Sequence, residues 1–516
     1  KMYECVCVRH LIIDDGWQDT VLDEPMTPWF HIELSKPFLL LRSILLLPFR
    51  LLSRSLRWYY TTLVQHAPAR SLRIRLWRAL MALAPSFPSL RACLALTPPE
   101  DDFRKRLRSP HASRRFLASC PDGSFKALIS SLKEQHGLQS VYCWHALLGY
   151  WSGVKNNEMT KTPSTLQLQA LGTSIVRPRP MPSILQVEPQ LSWDPLTING
   201  IGMPKDWQAD DLYETMHSYL SECGVDGVKI DAQAAVTLMG AERGGSAAQT
   251  RLFVKAMEGS VARHFGGQNN IACMCHPTEC LYAYSSTPVA RASDDFWPDD
   301  ESTFTSHIAN VAFNSLFIGE IAVPDWDMFT TLHPAAPMHA AARAVGGCSV
   351  YVSDRPGEHN FSLLRKLVLP DGGVVRALLP GRPTRDCLFA DVTSDGSSPL
   401  KIWNHNRCNG VLAAFNLQGS SWSREQRRHS LSTSHPRPVH AELRPMDVER
   451  LRERLGGWQG RWAIRMCVWG EDGGLQQVER GVFSDTAGPR VNLKRLQSAT
   501  ATVARLWEGS GRGEAL

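Results

Sequence analysis

GVDGVKIDAQ (224–233) carries the pattern from which the fold of this 516-residue chain can be read. An apolar run of strand length ends on Asp231, with Lys229 two residues before it. The same form recurs in VCVRHLIIDDGWQ (6–18), SVYCWHALLGYW (140–151), NIACMCHP (270–277), VARASDDFWP (289–298), SLFIGEIAVPDWDMF (315–329) and GGCSVYVSDRPG (346–357). Helix-like stretches lie between them: SFKALISSLKEQHG (124–137), DDLYETMHSYLSECG (210–224), QTRLFVKAMEGSVARHFG (249–266) and MHAAARAVGG (338–347). Buried strands alternating with amphipathic helices make parallel β/α units. The seven strand candidates fit an α/β fold, a (β/α)₈ TIM barrel over 1–395 whose first strand is missing, with reactive residues at the strand ends. An open doubly wound sheet fits the alternation equally well. No glycine-rich phosphate loop follows any strand, however, so nucleotide binding loses support.

Beyond residue 395 the texture changes. LKIWNHNRCNGVLAAFNLQGSSW (400–422), RWAIRMCVWG (461–470) and PRVNLKRLQSATATVARLWEG (489–509) read as short strands broken by Gly, Ser and polar turns. They predict a C-terminal antiparallel β-sandwich over 396–516, with a polar loop at 420–438 after its first hairpin.

Charge is distributed unevenly. From Leu34 to Pro99 there is no acid, whereas Lys36 and nine arginines fall there, exceeding the whole-chain net charge of +6. The basic balance is therefore local and does not point to nucleic acid. That stretch, 36–96, pairs leucines with arginines, and none of its apolar runs is long enough to span a bilayer. We read it as a helical insertion; the alternative is a basic amphipathic helix making peripheral membrane contact. Thirteen cysteines, an odd number scattered through strand-like segments, read as reduced thiols in an intracellular compartment. Cytosol is the expectation, with a plastid as the alternative. Cys273, Cys275, His276 and Cys280 cluster, but their spacing matches no standard zinc pattern. We expect neither a metal nor a cofactor.

The acids at the strand ends suggest chemistry. Cleaving a glycosidic bond with retention takes one carboxylate that attacks the anomeric carbon and one carboxylic acid that protonates the leaving oxygen. Asp231 ends a strand with Lys229 on the same face, and a lysine there would hold the carboxylate ionised. Asp294 and Asp295 stand together near Arg291, followed by Phe296 and Trp297. One of the two acids would lie against apolar walls and suit a general acid; spacing does not decide which. Asp14, Asp15 and Trp17 end another strand in an arrangement suited to sugar hydroxyls and an apolar sugar face. Trp144, Trp151, Trp326 and Asp327 repeat it, with core packing as the alternative for each tryptophan.

LIIDDGWQ, YCWHALLGYWSGV, GVDGVKIDAQ, RASDDFWP, PDWDMF, HAAARAVGG, YVSDRPGEHNF, LPGRPTRDCLF and LKIWNHNRCNGVLAAFNLQG together resemble the raffinose synthase and seed-imbibition (alkaline α-galactosidase) group of glycoside hydrolase family 36. The resemblance runs over 10–25 and 120–420, more loosely to 509. It implies that Asp231, in the family's KxD motif with Lys229, is the nucleophile. It further implies that Asp295, in RxxxD with Arg291, is the acid/base, and that Asp14 and Asp15 bind substrate. The donor would be galactinol or a raffinose-type sugar and the acceptor a sugar or water, giving raffinose synthase activity or, as the alternative, α-galactosidase activity. A truncated, inactive carbohydrate-binding homologue is the rival from another class. The chain departs from the family in lacking an upstream β-rich domain and a Trp-rich first strand, in CMCHP (273–277) where CMSHN is usual, and in the long basic segment. It therefore reads as a piece of a longer enzyme.

Overall fold

The computed structural model describes residues 6, 8–22, 105–155, 173–178, 183, 196, 200–240, 243–369, 372–423, 428–431, 438–470 and 475–506. The basic segment 36–96, with the membrane contact expected of it, lies outside the described residues. Among the described residues no helix is long and apolar enough to cross a membrane. The chain divides into two compact units, 9–287 and 288–516, the second including 1–8.

The first unit runs β1 (His10–Ile13), β2 (Gln18–Leu22), β3 (Lys105–Ala112), α1 (Phe125–Glu134), β4 (Ser140–Ala146), β5 (Thr173–Val176), β6 (Ile201–Pro204), α2 (Ala209–Glu222), β7 (Gly227–Asp231), α3 (Ser246–His264) and β8 (Asn270–Ala272). Strands β1, β4, β7 and β8 are parallel neighbours in that order, with Ile13 beside Cys143, Trp144 beside Lys229 and Ile230 beside Ala272. Val141, Cys143, Val228, Ile230 and Ala272 are fully buried and in register, the apolar layer of one face of the sheet. Each Val or Ile so buried contributes about 1.5–3 kcal/mol. The helices follow from helical spacing: Leu212, Met216 and Leu220 bury one stripe of α2, and Phe253, Met257 and Val261 one stripe of α3. Ser124 caps α1 by accepting from the Ala127 N–H. Parallel pairing brings the carboxyl ends of these strands to one edge, which carries Asp14, Ala146, Asp231 and Cys273.

The second unit begins with β9 (Val289–Arg291), α4 (Phe304–Ile318), β10 (Val323–Asp325) and α5 (Ala336–Gly346). Strands β9 and β10 are parallel, with Arg291 beside Asp325. The run 315–329 is not one strand: 315–318 end α4, and only Val323–Asp325 is extended. Helix α4 is buried on several sides, including Thr305, Ser306, His307 and Ile308 in succession. It lacks the solvated stripe by which a helix is recognised in sequence. The run 346–357 contributes a single parallel bridge, Phe329 to Val352, rather than a full strand. Helix α5 stops at Gly347, whose φ is +68° and whose missing Cβ would lie 1.9 Å from the Leu379 carbonyl oxygen, so only glycine fits.

The rest of this unit is antiparallel: β11 (Arg382–Pro383), β12 (Leu400–His405), β13 (Gly410–Phe415), β14 (Ser420–Ser423), β15 (Arg428–Leu431), β16 (Val439–Glu442), β17 (Trp462–Trp469), β18 (Leu475–Phe483), β19 (Arg490–Leu493) and β20 (Ser498–Arg505). Six of them form a sheet in the order β11-β12-β13-β20-β17-β18. On one face Leu412, Ala414, Ile464, Met466, Ala499 and Ala501 pack in one core with Ala441, Val491 and Leu493 of the β16–β19 pair, giving two layers. The stretch 420–438 is not wholly loop, because β14 and β15 pair within it. The fold is thus mixed α/β, with parallel strands in both units and antiparallel sheets besides.

Candidate active site

In the first unit the site grows from the end of β7. Asp231 is buried, and its carboxylate accepts from the Trp144 indole N–H at 2.9 Å and from the Ala232 amide at 2.6 Å. Ala232 reaches that position with φ at +52°, a left-handed backbone costing a non-glycine residue about 1–2 kcal/mol. Met274 and Asp327 are also left-handed, and each follows shortly after the end of a parallel strand, β8 and β10 respectively. Strain of this kind persists where the surroundings over-determine it, and it concentrates at working sites.

Lys229, two residues before Asp231, has a partner at the end of β1. Its ammonium sits 2.5 Å from Asp14, and within this unit Asp231 is held by neutral donors instead. The long lysine side chain reaches across to the end of β1, where Asp14 is half exposed and available as a partner. Asp15 accepts from Tyr150 and Trp151, each at 2.7 Å, and its own amide donates to Asp14 at 3.0 Å. Trp144 packs against Tyr150 edge-on and lies 5.5 Å from Trp151. Three neighbouring aromatic side chains thus each offer a polar edge to a strand-end carboxylate, two to Asp15 and one to Asp231. Tyr150, which belongs to this set, was not singled out in the sequence.

Trp17 belongs elsewhere. It is buried, stacked on Phe125 at 5.3 Å, and its indole N–H donates to the Trp144 carbonyl. It is a core residue that supports Trp144, and no sugar face can reach it. Cys273, Cys275 and Cys280 are buried too, and burial pushes the Cys280 thiol up to about 12, so it packs as an uncharged side chain.

In the second unit the centre is Arg291, the buried last residue of β9. It donates to Asp295 at 2.6 Å and to Asp325 at 3.2 Å, and lies 2.7 Å from Asp327 in an ion pair. Asp325 also accepts from Tyr351 Oη at 2.8 Å. Burial would raise the Asp327 carboxyl, but the Arg291 guanidinium and the Phe296 N–H outweigh it and hold the group below the usual carboxylate range. Burial and then Asp325 push the Tyr351 phenol well up, keeping it a donor. Beneath them Arg343 of α5, fully buried, donates to the carbonyls of Trp326, Asp327 and Met328. It thereby clamps the left-handed turn from which Asp327 projects.

Several expectations are corrected here. Asp295 is not against apolar walls; its side chain is 56% exposed and rests on Arg291. Phe296 turns inward instead, among Phe304, His307, His333 and His339. Asp294 and Asp295 are not equivalent, since Asp294 accepts from the Asp295 amide while Asp295 meets Arg291. Trp326 is fully buried against Gly346, and Asp327 is a buried partner of Arg291. Asp325, Tyr351 and Arg343 were not singled out in the sequence. The one signal for Asp325 is its place two residues before Asp327, at the end of the apolar run.

The family model for "Raffinose synthase or seed imbibition protein Sip1" matches residues 3–474, and the chain belongs to that family. A probable galactinol–sucrose galactosyltransferase of Arabidopsis thaliana is 45% identical over 354 residues, covering 68% of this chain and 46% of the relative. A galactinol–sucrose galactosyltransferase of Oryza sativa is 41% identical, covering 63% and 42%. A stachyose synthase of Pisum sativum is 36% identical, covering 58% and 35%. The chain therefore spans about half the length, or less, of the curated relatives it matches.

Proposed function

We propose that this chain carries the catalytic machinery of a retaining α-galactosyl transferase that moves galactose from galactinol to sucrose, built on a (β/α)₈ barrel. Asp231 attacks the anomeric carbon to form a galactosyl-enzyme while Asp295 protonates the departing oxygen. Asp295 then takes the proton of the incoming hydroxyl, so that two inversions give net retention. The observation that carries this reading is the setting of Asp231. It is a strand-end carboxylate, fixed by an indole N–H and a strained backbone N–H, and left able to attack. Family membership and the relatives' names support the sugar and the acceptor. Asp14 and Asp15, with Lys229, Tyr150 and Trp151 arrayed on them, are suited to the galactose hydroxyls.

Hydrolysis shares the first half-reaction, so α-galactosidase activity is the second reading. Incubation with galactinol and sucrose separates them. Raffinose as the main product is expected, whereas free galactose without raffinose would favour water as the acceptor. No cleavage of any α-galactoside would leave the binding-only homologue standing.

A further inference from the structure

The reading above leaves open what distinguishes a sugar acceptor from water. Three consecutive residues bear on it. Phe296 is buried, whereas Asp295 and Trp297 on either side of it are both more than half exposed. The three follow one another in the loop after β9, with the middle ring turned into the core and the side chains before and after it open to solvent. Two residues of chain span at most about 7 Å, so Trp297 stands near Asp295.

Hydrogen bonds and ring packing tie the loop bearing them to its surroundings. The Phe296 amide donates to Asp327 at 2.8 Å, and Phe296 itself is walled by four rings. His333 hydrogen-bonds the Pro298 carbonyl, and the Thr303 hydroxyl and backbone N–H both donate to the Asp300 carbonyl. An indole held half in water on a fixed backbone loses little freedom when a ligand settles on it. Asp294 and Asp299, both exposed, flank it with carboxylates able to accept from hydroxyl groups.

We propose that Trp297 is the platform of the acceptor subsite, stacking against the apolar face of a hydroxylated sugar ring; this deepens the function proposed above and rests on it. The chemistry points there because a general acid must come within hydrogen-bond reach of the oxygen that joins donor to leaving group. By microscopic reversibility the acceptor enters where the leaving group departed. The region next to Asp295 is therefore the acceptor's, and of the two rings that follow Asp295 in the chain Phe296 is buried and Trp297 is exposed. Stacking there favours a sugar over water because water has no face to stack.

The test uses the full chain with Trp297→Ala and Trp297→Tyr, scored with galactinol as donor and sucrose as acceptor. Trp297→Ala should raise the KM for sucrose about 10-fold and lower the ratio of raffinose to free galactose to a similar extent, with a smaller change in the KM for galactinol. Trp297→Tyr should restore most of both. An unaltered sucrose KM and product ratio in Trp297→Ala would overturn the proposal, as would equal rises for donor and acceptor. Should the native chain cleave no galactoside, the function proposed above fails. Sucrose binding, followed by saturation-transfer NMR, then decides on Trp297 alone: weakened binding in Trp297→Ala upholds the platform, and equal binding removes it. Since Trp297 is exposed, an unchanged melting temperature is the control for folding.

Discussion

The two carboxylates assigned to the chemistry stand in opposite settings. Asp231 is buried at the end of a strand and, among the described residues, accepts from two neutral donors, the Trp144 indole and the Ala232 amide. Asp295 is on an exposed loop against a buried guanidinium that two further buried carboxylates, Asp325 and Asp327, also engage. A nucleophile needs its oxygen aimed, which fixed dipoles do without neutralising its charge. A group that gives and then takes a proton needs access and a charge environment that can be balanced. In the second unit, that balance is made by one arginine shared among three acids.

Substitutions can break this contrast, the largest effect first. Asp231→Asn should reduce turnover by more than about 10⁴-fold on every galactoside, since no covalent intermediate can form. Asp295→Asn should cost roughly 10²–10⁴-fold on natural galactosides but much less in the first step with an activated leaving group. Comparing galactinol with a nitrophenyl galactoside reads that difference, and equal losses on both would contradict the role. Trp144→Phe removes one charge-assisted hydrogen bond from Asp231, worth about 1.5–3 kcal/mol. It should lower kcat by tens of fold with little change in KM. Tyr351→Phe should be milder, about 1 kcal/mol or less in stability by urea unfolding, because Asp325 keeps Arg291 and the Asp327 amide.

Stability should depend on pH in a defined window. Burial lowers His145 and His307 from 6.5 to about 4, so both are neutral when folded. The unfolded chain takes up protons below pH 6.5 and the folded chain only near 4. Their stabilising contribution is therefore complete above pH 6.5 and lost as the pH falls toward 4. The urea midpoint should drop between pH 7 and pH 5, by about 2 kcal/mol or more of stability; a flat profile would contradict the buried-histidine account.

Much of this was legible in the sequence, for particular reasons. Strands β4, β7, β8 and β9 sit in mostly apolar runs that end in polar residues, α1, α2 and α3 carry a buried stripe, and α5 is rich in alanine. Helix α4 was not legible, since burial on several sides removed the stripe. The acids and aromatics at the strand ends could be named from sequence, but not their pairings. Lys229 meets Asp14, 215 residues away, rather than Asp231 two residues along. Which rings face the core is likewise a matter of packing: Trp17 and Trp326 are filling, Trp144 is a donor, and Trp297 is exposed. Asp325 and Tyr351 matter only through Arg291, a contact that spacing does not reveal.

The most direct test of the central claim is to trap the covalent intermediate. In a fluorinated α-galactosyl donor with a good leaving group, the fluorine slows both steps and the leaving group restores the first, so the galactosyl-enzyme accumulates and can be mapped by peptide mass spectrometry. The account predicts the sugar on Asp231, within GVDGVKIDAQ, and none on the Asp231→Asn variant. A label on another carboxylate, or a product of inverted configuration from an enzyme that forms no adduct, would contradict it.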